Sequence, residues 1–127
     1  MQYHAHALAV NGVDVDFVGY EGAALPGFLA TDPRVAVHRF AEARLRFRFR
    51  SSLLYAIGAV VDGARLSVRL AMTLLRLPTF DLLLVQNPPA LPTLPVVWFV
   101  ARVRHARLVI DWHNLGYTML ALRLGRR

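Results

Sequence analysis

The sequence predicts an α/β fold built on a parallel sheet, and three observations carry that reading. Short apolar runs alternate with helix-length segments along the chain. Two of the runs, residues 82–85 and 108–110, are continuously apolar, as strands covered on both faces are. Each of these two then stops abruptly in polar residues, Gln86-Asn87 and Asp111-Trp112-His113-Asn114. Ligands of open parallel sheets bind outside the carboxyl ends of the strands, so both polar clusters are placed on one ligand-facing rim.

The elements follow in order. Residues 1–10 favour a helix, and Asn11-Gly12 stops it, because Gly suits the position just past a helix end. Residues 13–20 (VDVDFVGY) alternate apolar and polar and read as a strand near a sheet edge. Residues 21–33, rich in Gly, Ala and Pro, read as a loop, and residues 35–40 (VAVHRF) as a second short strand. Ser51 or Ser52 can cap a long helix through residue 77, in which Asp62, Arg65, Arg69 and Arg76 share one stripe. After the strand at 82–85, Asn87 is held extended by Pro88. Thr93 can cap the next helix, with Pro95 tolerated in its first turn. His105 and Arg107 close that helix, 108–110 returns as a strand, and Asn114 can cap a last helix. The pattern argues for a doubly wound parallel sheet.

Composition narrows the partners. A chain of 127 residues makes one domain with room for a core. Its hydrophobic content, 56%, is high for a soluble domain and suggests strands covered on both faces, a membrane-proximal surface, or both. All fifteen basic residues are Arg, and the formal net charge is +7. The guanidinium fork suits phosphate and diphosphate, although a coding bias produces the same composition. Without Cys there is neither a disulfide nor a thiolate metal site. The start MQYHAHALAV lacks the basic and apolar regions of a signal peptide. The apolar region 53–77 is too charged to span a membrane.

Three clusters are candidates for chemistry. In the first, Trp112 can stack on a sugar or apolar ligand, His113 can take a proton, and Asp111 can orient it. The same residues can equally serve as caps and core packing. In the second, the amides of Gln86 and Asn87 can bond ligand hydroxyls from a loop stiffened by proline, or simply make a rigid turn. In the third, Gln2, Tyr3, His4 and His6 can face a ligand from a first helical turn. The spacing of His4 and His6 does not suit a metal on a helix, and no metal site is expected. The run RLRFRFR, if extended, sets Arg44, Arg46, Arg48 and Arg50 on one face, with Leu45, Phe47 and Phe49 on the other. It reads as a solvated connector or as a patch meeting lipid and phosphate. There is no G-x-G-x-x-G and no Walker loop.

The stretch LVQNPPALPTLPVVWFVARVRHARLVIDWHNLGYTMLAL closely resembles the chitobiosyldiphosphodolichol beta-mannosyltransferase family, and MQYHAHALAVNGVDVDFVGY resembles it too. QNPP together with DWHN and the following Gly116-Tyr117 are the specific features; Leu115 stands where the family usually has Tyr. The resemblance implies an incomplete Rossmann-like parallel sheet, with residues 1–127 forming part of the N-terminal, acceptor-side half of a GT-B glycosyltransferase. It implies GDP-mannose as donor substrate, with no bound cofactor. The acceptor is a lipid-linked oligosaccharide, chitobiosyl diphosphodolichol, at the cytosolic face of the endoplasmic reticulum membrane. Inversion needs a base, for which His113 is the candidate, with Asp111 as its orienter or rival. Gln86, Asn87, Trp112, Asn114, Tyr117, Gln2 and His4 are the implied substrate contacts, and Arg44, Arg46, Arg48 and Arg50 the contacts to membrane or diphosphate. Relatives carry an anchor and a first strand upstream and a donor half downstream. The chain is therefore expected to be a fragment, inactive alone, with its strands at 13 and 82 facing an empty slot or closing on each other. The competing reading is a non-catalytic Arg-rich module on anionic membrane or nucleic acid, with nucleic acid disfavoured.

Overall fold

A computed structural model describes residues 1–22, 24–41, 52–87 and 91–112. The chain divides into two compact units, Met1–Leu77 and Pro78–Arg127. Each holds one two-stranded parallel sheet.

The first unit runs α1 (Gln2–Val10), β1 (Val15–Tyr20), α2 (Gly27–Ala30), β2 (Val35–Phe40) and α3 (Ser52–Arg76). Helix α1 buries Ala5 and Ala9, one turn apart on the same side. It ends as Asn11-Gly12 predicts. The Gly12 amide donates to the Ala9 carbonyl at 2.9 Å and the Val13 amide to the Leu8 carbonyl at 3.1 Å, with Gly12 at φ +83. This double closure needs a left-handed residue, which glycine supplies without a Cβ clash.

Strand β1 then pairs with β2 from Val15↔Val35 to Tyr20↔Phe40. The ladder opens with the Val15 amide on the Arg34 carbonyl (2.8 Å) and closes with the Glu21 amide on the Phe40 carbonyl (3.1 Å). Within the segment read as loop lies the single turn α2. Its Leu29 is fully buried, and an apolar side chain with a place in the core is enough to order one turn of chain. Helix α3 sets Leu70 and Leu74 into the core one turn apart, and Leu77, just past its end, is buried as well. Its Arg69 guanidinium donates to the Ala41 carbonyl at 3.2 Å, beside the end of β2.

The second unit runs β3 (Leu82–Asn87), α4 (Thr93–Val103) and β4 (Arg107–Trp112). Helix α4 packs against both strands and buries Val97, Val100 and Ala101. Arg104 at its end donates to the Pro78 carbonyl at 2.6 Å and lies over the Phe80 ring at 5.3 Å. That fixes the chain entering β3, and the Arg107 amide on the Asp81 carbonyl (2.8 Å) starts the ladder.

Two sequence expectations change here. Thr93 is the first residue of the helix, not its cap; Pro92 holds the cap position, with no side-chain bond. Arg107 belongs to β4 and does not close α4, because the helix has already ended in the same double closure as α1. The His105 amide donates to Arg102 (3.4 Å) and the Ala106 amide to Ala101 (2.9 Å), with His105 at φ +55.

The parallel pairing and the helix–strand alternation are as the sequence predicts. The strands, however, are divided between two sheets, and β1 pairs with β2 alone while β3 pairs with β4 alone among the described residues. Leu82, expected to be covered on both faces, is 46% exposed.

Two stability tests follow. His105 occupies a left-handed position that costs a side-chain-bearing residue roughly 1–2 kcal/mol, so His105→Gly should raise the unfolding free energy by about 1 kcal/mol. Leu29→Ala should lower it by about 2–5 kcal/mol, the usual cost of such a cavity. Urea unfolding reads both. A destabilised His105→Gly, or a neutral Leu29→Ala, would contradict these packing assignments.

Candidate functional site

The β3–β4 ladder brings the two polar strand ends side by side. Its last two register pairs are Gln86↔Asp111 and Asn87↔Trp112. Side chains alternate across a sheet, so Gln86 and Asp111 share one face and Asn87 and Trp112 the other. This is the juxtaposition that the abrupt ends of the two apolar runs predict.

The four side chains differ in their surroundings. Gln86 and Asp111 are half-buried and both engaged in interactions. Trp112 is 60% exposed, so it presents its ring outward and does not pack as core. Asn87 is 3% exposed, and its Oδ1 has no hydrogen-bond partner. Burying an amide oxygen unbonded is unfavourable, typically by 1–3 kcal/mol, and such an atom in a strand-end position is a preformed acceptor for a donor. His113, Asn114 and Tyr117 lie outside the described residues, as do residues 88–90 of the QNPP turn.

The remaining sequence candidates fall in the first unit. Gln2 and His4 both lie on α1, two residues and so about 200° apart, and they face different sides of the helix. His4 is exposed and engaged in an interaction. Gln2 instead shares its side with Tyr3 and His6. Arg44, Arg46, Arg48 and Arg50 lie outside the described residues.

Two groupings escaped the sequence reading. His38 Nε2 lies 2.7 Å from Asp16 Oδ1, a cross-strand contact one pleat off the register, since Asp16 pairs with Ala36 and Val18 with His38. The alternation in VDVDFV and VAVHRF puts each residue on a definite face, but only the register shows that the faces coincide. The Phe28 ring of α2 meets two rings of α1, Tyr3 stacked at 6.0 Å and His6 tilted at 4.8 Å. No spacing rule links residue 28 to residues 3 and 6. Among the described residues no group of three or more His, Asp or Glu is placed to hold a metal ion.

A parallel α/β unit with a polar strand-end rim defines a ligand-binding fold of the Rossmann-like kind, and the chain's relatives are glycosyltransferases. It is 37% identical to UDP-glycosyltransferase TURAN of Arabidopsis thaliana, covering 99% of this chain and 27% of that protein. It is 39% identical to the chitobiosyldiphosphodolichol beta-mannosyltransferase of Yarrowia lipolytica, covering 98% and 26%. To the mouse protein of that name it is 32% identical, covering 100% and 26%. No family model and no solved structure matches the chain. By sequence the chain is thus a relative of the chitobiosyldiphosphodolichol beta-mannosyltransferases along nearly its whole length, and it spans about a quarter of theirs.

The unbonded Asn87 oxygen makes a stability test possible. The buried Asn87 oxygen has no protein hydrogen bond to lose. Asn87→Leu should therefore leave the urea midpoint unchanged or raise it. A loss of about 1–3 kcal/mol, the cost of breaking a structural bond, would assign Asn87 to the fold instead.

Proposed function

We propose that this chain is the acceptor-side part of an inverting mannosyltransferase, which moves mannose from GDP-mannose to chitobiosyl diphosphodolichol at the endoplasmic reticulum membrane. The observation that carries the reading is the β3–β4 rim, where Gln86↔Asp111 and Asn87↔Trp112 stand adjacent in a chain whose full-length relatives bear that enzyme's name. In this reading residues 1–127 form part of a Rossmann-like half.

The chemistry asked of the rim is modest. The acceptor hydroxyl oxygen attacks the anomeric carbon of mannose, and a carbon–oxygen bond forms as the bond to the GDP diphosphate breaks. The hydroxyl proton passes to a base, and GDP leaves with the bonding pair. His113, next to the rim in sequence, is our choice for the base, and Asp111 for the group that orients it. Trp112 offers an open ring for stacking on a sugar, and the Asn87 and Gln86 amides offer hydrogen bonds to its hydroxyls. Asn114 and Tyr117 complete the set of substrate contacts.

Helix α3 supports the membrane part of the reading. Leu54, Ile57, Val61 and Val68 fall on one exposed side at helical spacing, with Arg65, Arg69 and Arg76 beside it. No described helix is long and apolar enough to cross a membrane. An apolar stripe beside arginines instead suits an anionic interface, with the run of Arg44, Arg46, Arg48 and Arg50 just before it.

At the position of His113 in a full-length relative, His→Ala should lower turnover at least about a hundredfold, the scale of general-base catalysis. Near-normal turnover would remove His113 as the base. The 127-residue chain alone should transfer no mannose. In flotation it should rise with vesicles containing anionic lipid and remain behind with neutral ones. Preference for single-stranded nucleic acid would favour the competing module.

A further inference from the structure

We infer that the ring cluster Tyr3–Phe28–His6, joined by the Gln2 amide, is a second carbohydrate contact, one that stacks an uncharged N-acetylated sugar of the acceptor. The inference rests on the acceptor reading above, but it concerns residues of the first unit that the strand-end rim does not use.

Placement comes first. Helix α1 packs on β1, and its last turn leads through residues 11–14 into the amino end of that strand. Its first turn therefore points toward the carboxyl end, the side on which parallel sheets receive ligands. His6 lies beside both Tyr3, three residues before it, and Gln2, four before it, on the surface of that turn. Phe28 meets them from α2.

The chemistry of the cluster is that of a sugar platform. Tyr3 is 78% exposed, and its ring lies close to parallel with that of Phe28 at a centroid distance of 6.0 Å, so most of its surface is open. An open ring beside a second one offers a flat apolar surface, which fits the C–H face of a pyranose. Polar side chains share that turn: the half-buried Gln2 amide, and the His6 imidazole, which tilts against Phe28 at 4.8 Å and whose Nδ1 is buried without a hydrogen-bond partner. The four side chains Gln2, Tyr3, His6 and Phe28 include no carboxylate and no guanidinium. That favours a neutral saccharide over a phosphate, which seeks Arg or Lys.

The test uses the 127-residue chain with free N,N'-diacetylchitobiose as probe, followed by ring-proton NMR. Titration should shift the Tyr3 and Phe28 ring signals. Tyr3→Ala should weaken binding about threefold to tenfold, the range of one aromatic stacking contact, while Tyr3→Phe keeps it. Tyr55→Ala, an exposed tyrosine on α3, should leave binding unchanged. Tyr3 is mostly exposed, so its loss leaves the fold intact, and far-ultraviolet circular dichroism checks this. If the unaltered chain does not bind chitobiose, if Tyr3→Ala binds as well as the parent, or if a short isoprenyl phosphate shifts the rings and chitobiose does not, the inference is overturned. None of these results touches the transferase reading, which stands or falls on turnover at the His113 position.

Discussion

The parallel register of β3 against β4 is the constraint on which the candidate site depends. Side chains alternate with a period of two along a strand, so a slip of one residue would move Gln86 and Asn87 to opposite faces relative to Asp111 and Trp112. The register is set at the other end of the ladder. Arg104 bonds the Pro78 carbonyl and covers Phe80, and the Arg107 amide bonds the Asp81 carbonyl. The double closure of α4 at His105 determines where the chain is released to make that bond. A helix end thus decides which polar residues meet some twenty Å further along, at roughly 3.3 Å per strand residue.

The same device recurs in the first unit with a different residue. Helix α1 closes through Gly12, and the chain enters β1 in register with β2. Gly12 meets no conformational penalty there, whereas His105 does. The cross-strand pair of Asp16 and His38 adds a short polar link between β1 and β2. The exposed Arg34–Asp14 pair, at 3.3 Å, contributes little by comparison, since solvent screens it.

Each unit has polar groups and an exposed ring at or near the carboxyl end of its sheet. In the second unit the unbonded Asn87 oxygen and the open Trp112 ring occupy the strand ends themselves. In the first, Tyr3, His6 and Phe28 gather around the first turn of α1.

Much of this was legible in the chain by itself. The period of the apolar residues determined where helices and strands lie, Asn11-Gly12 determined where α1 stops, and the abrupt change from apolar to polar after Val85 and Ile110 determined the candidate rim. These are local properties, written in neighbouring residues. The end of α4 was misjudged because His105 takes a left-handed conformation that its residue type does not announce. The one-turn α2 was missed because its order comes from burying Leu29 and not from propensity. Tertiary structure alone decided the division into two sheets, the pairing of Gln86 with Asp111 and Asn87 with Trp112, and the meetings of Asp16 with His38 and of Phe28 with Tyr3. Each of these depends on how distant segments are set against one another, and that is determined by backbone ladders and shared burial, which no run of adjacent residues encodes.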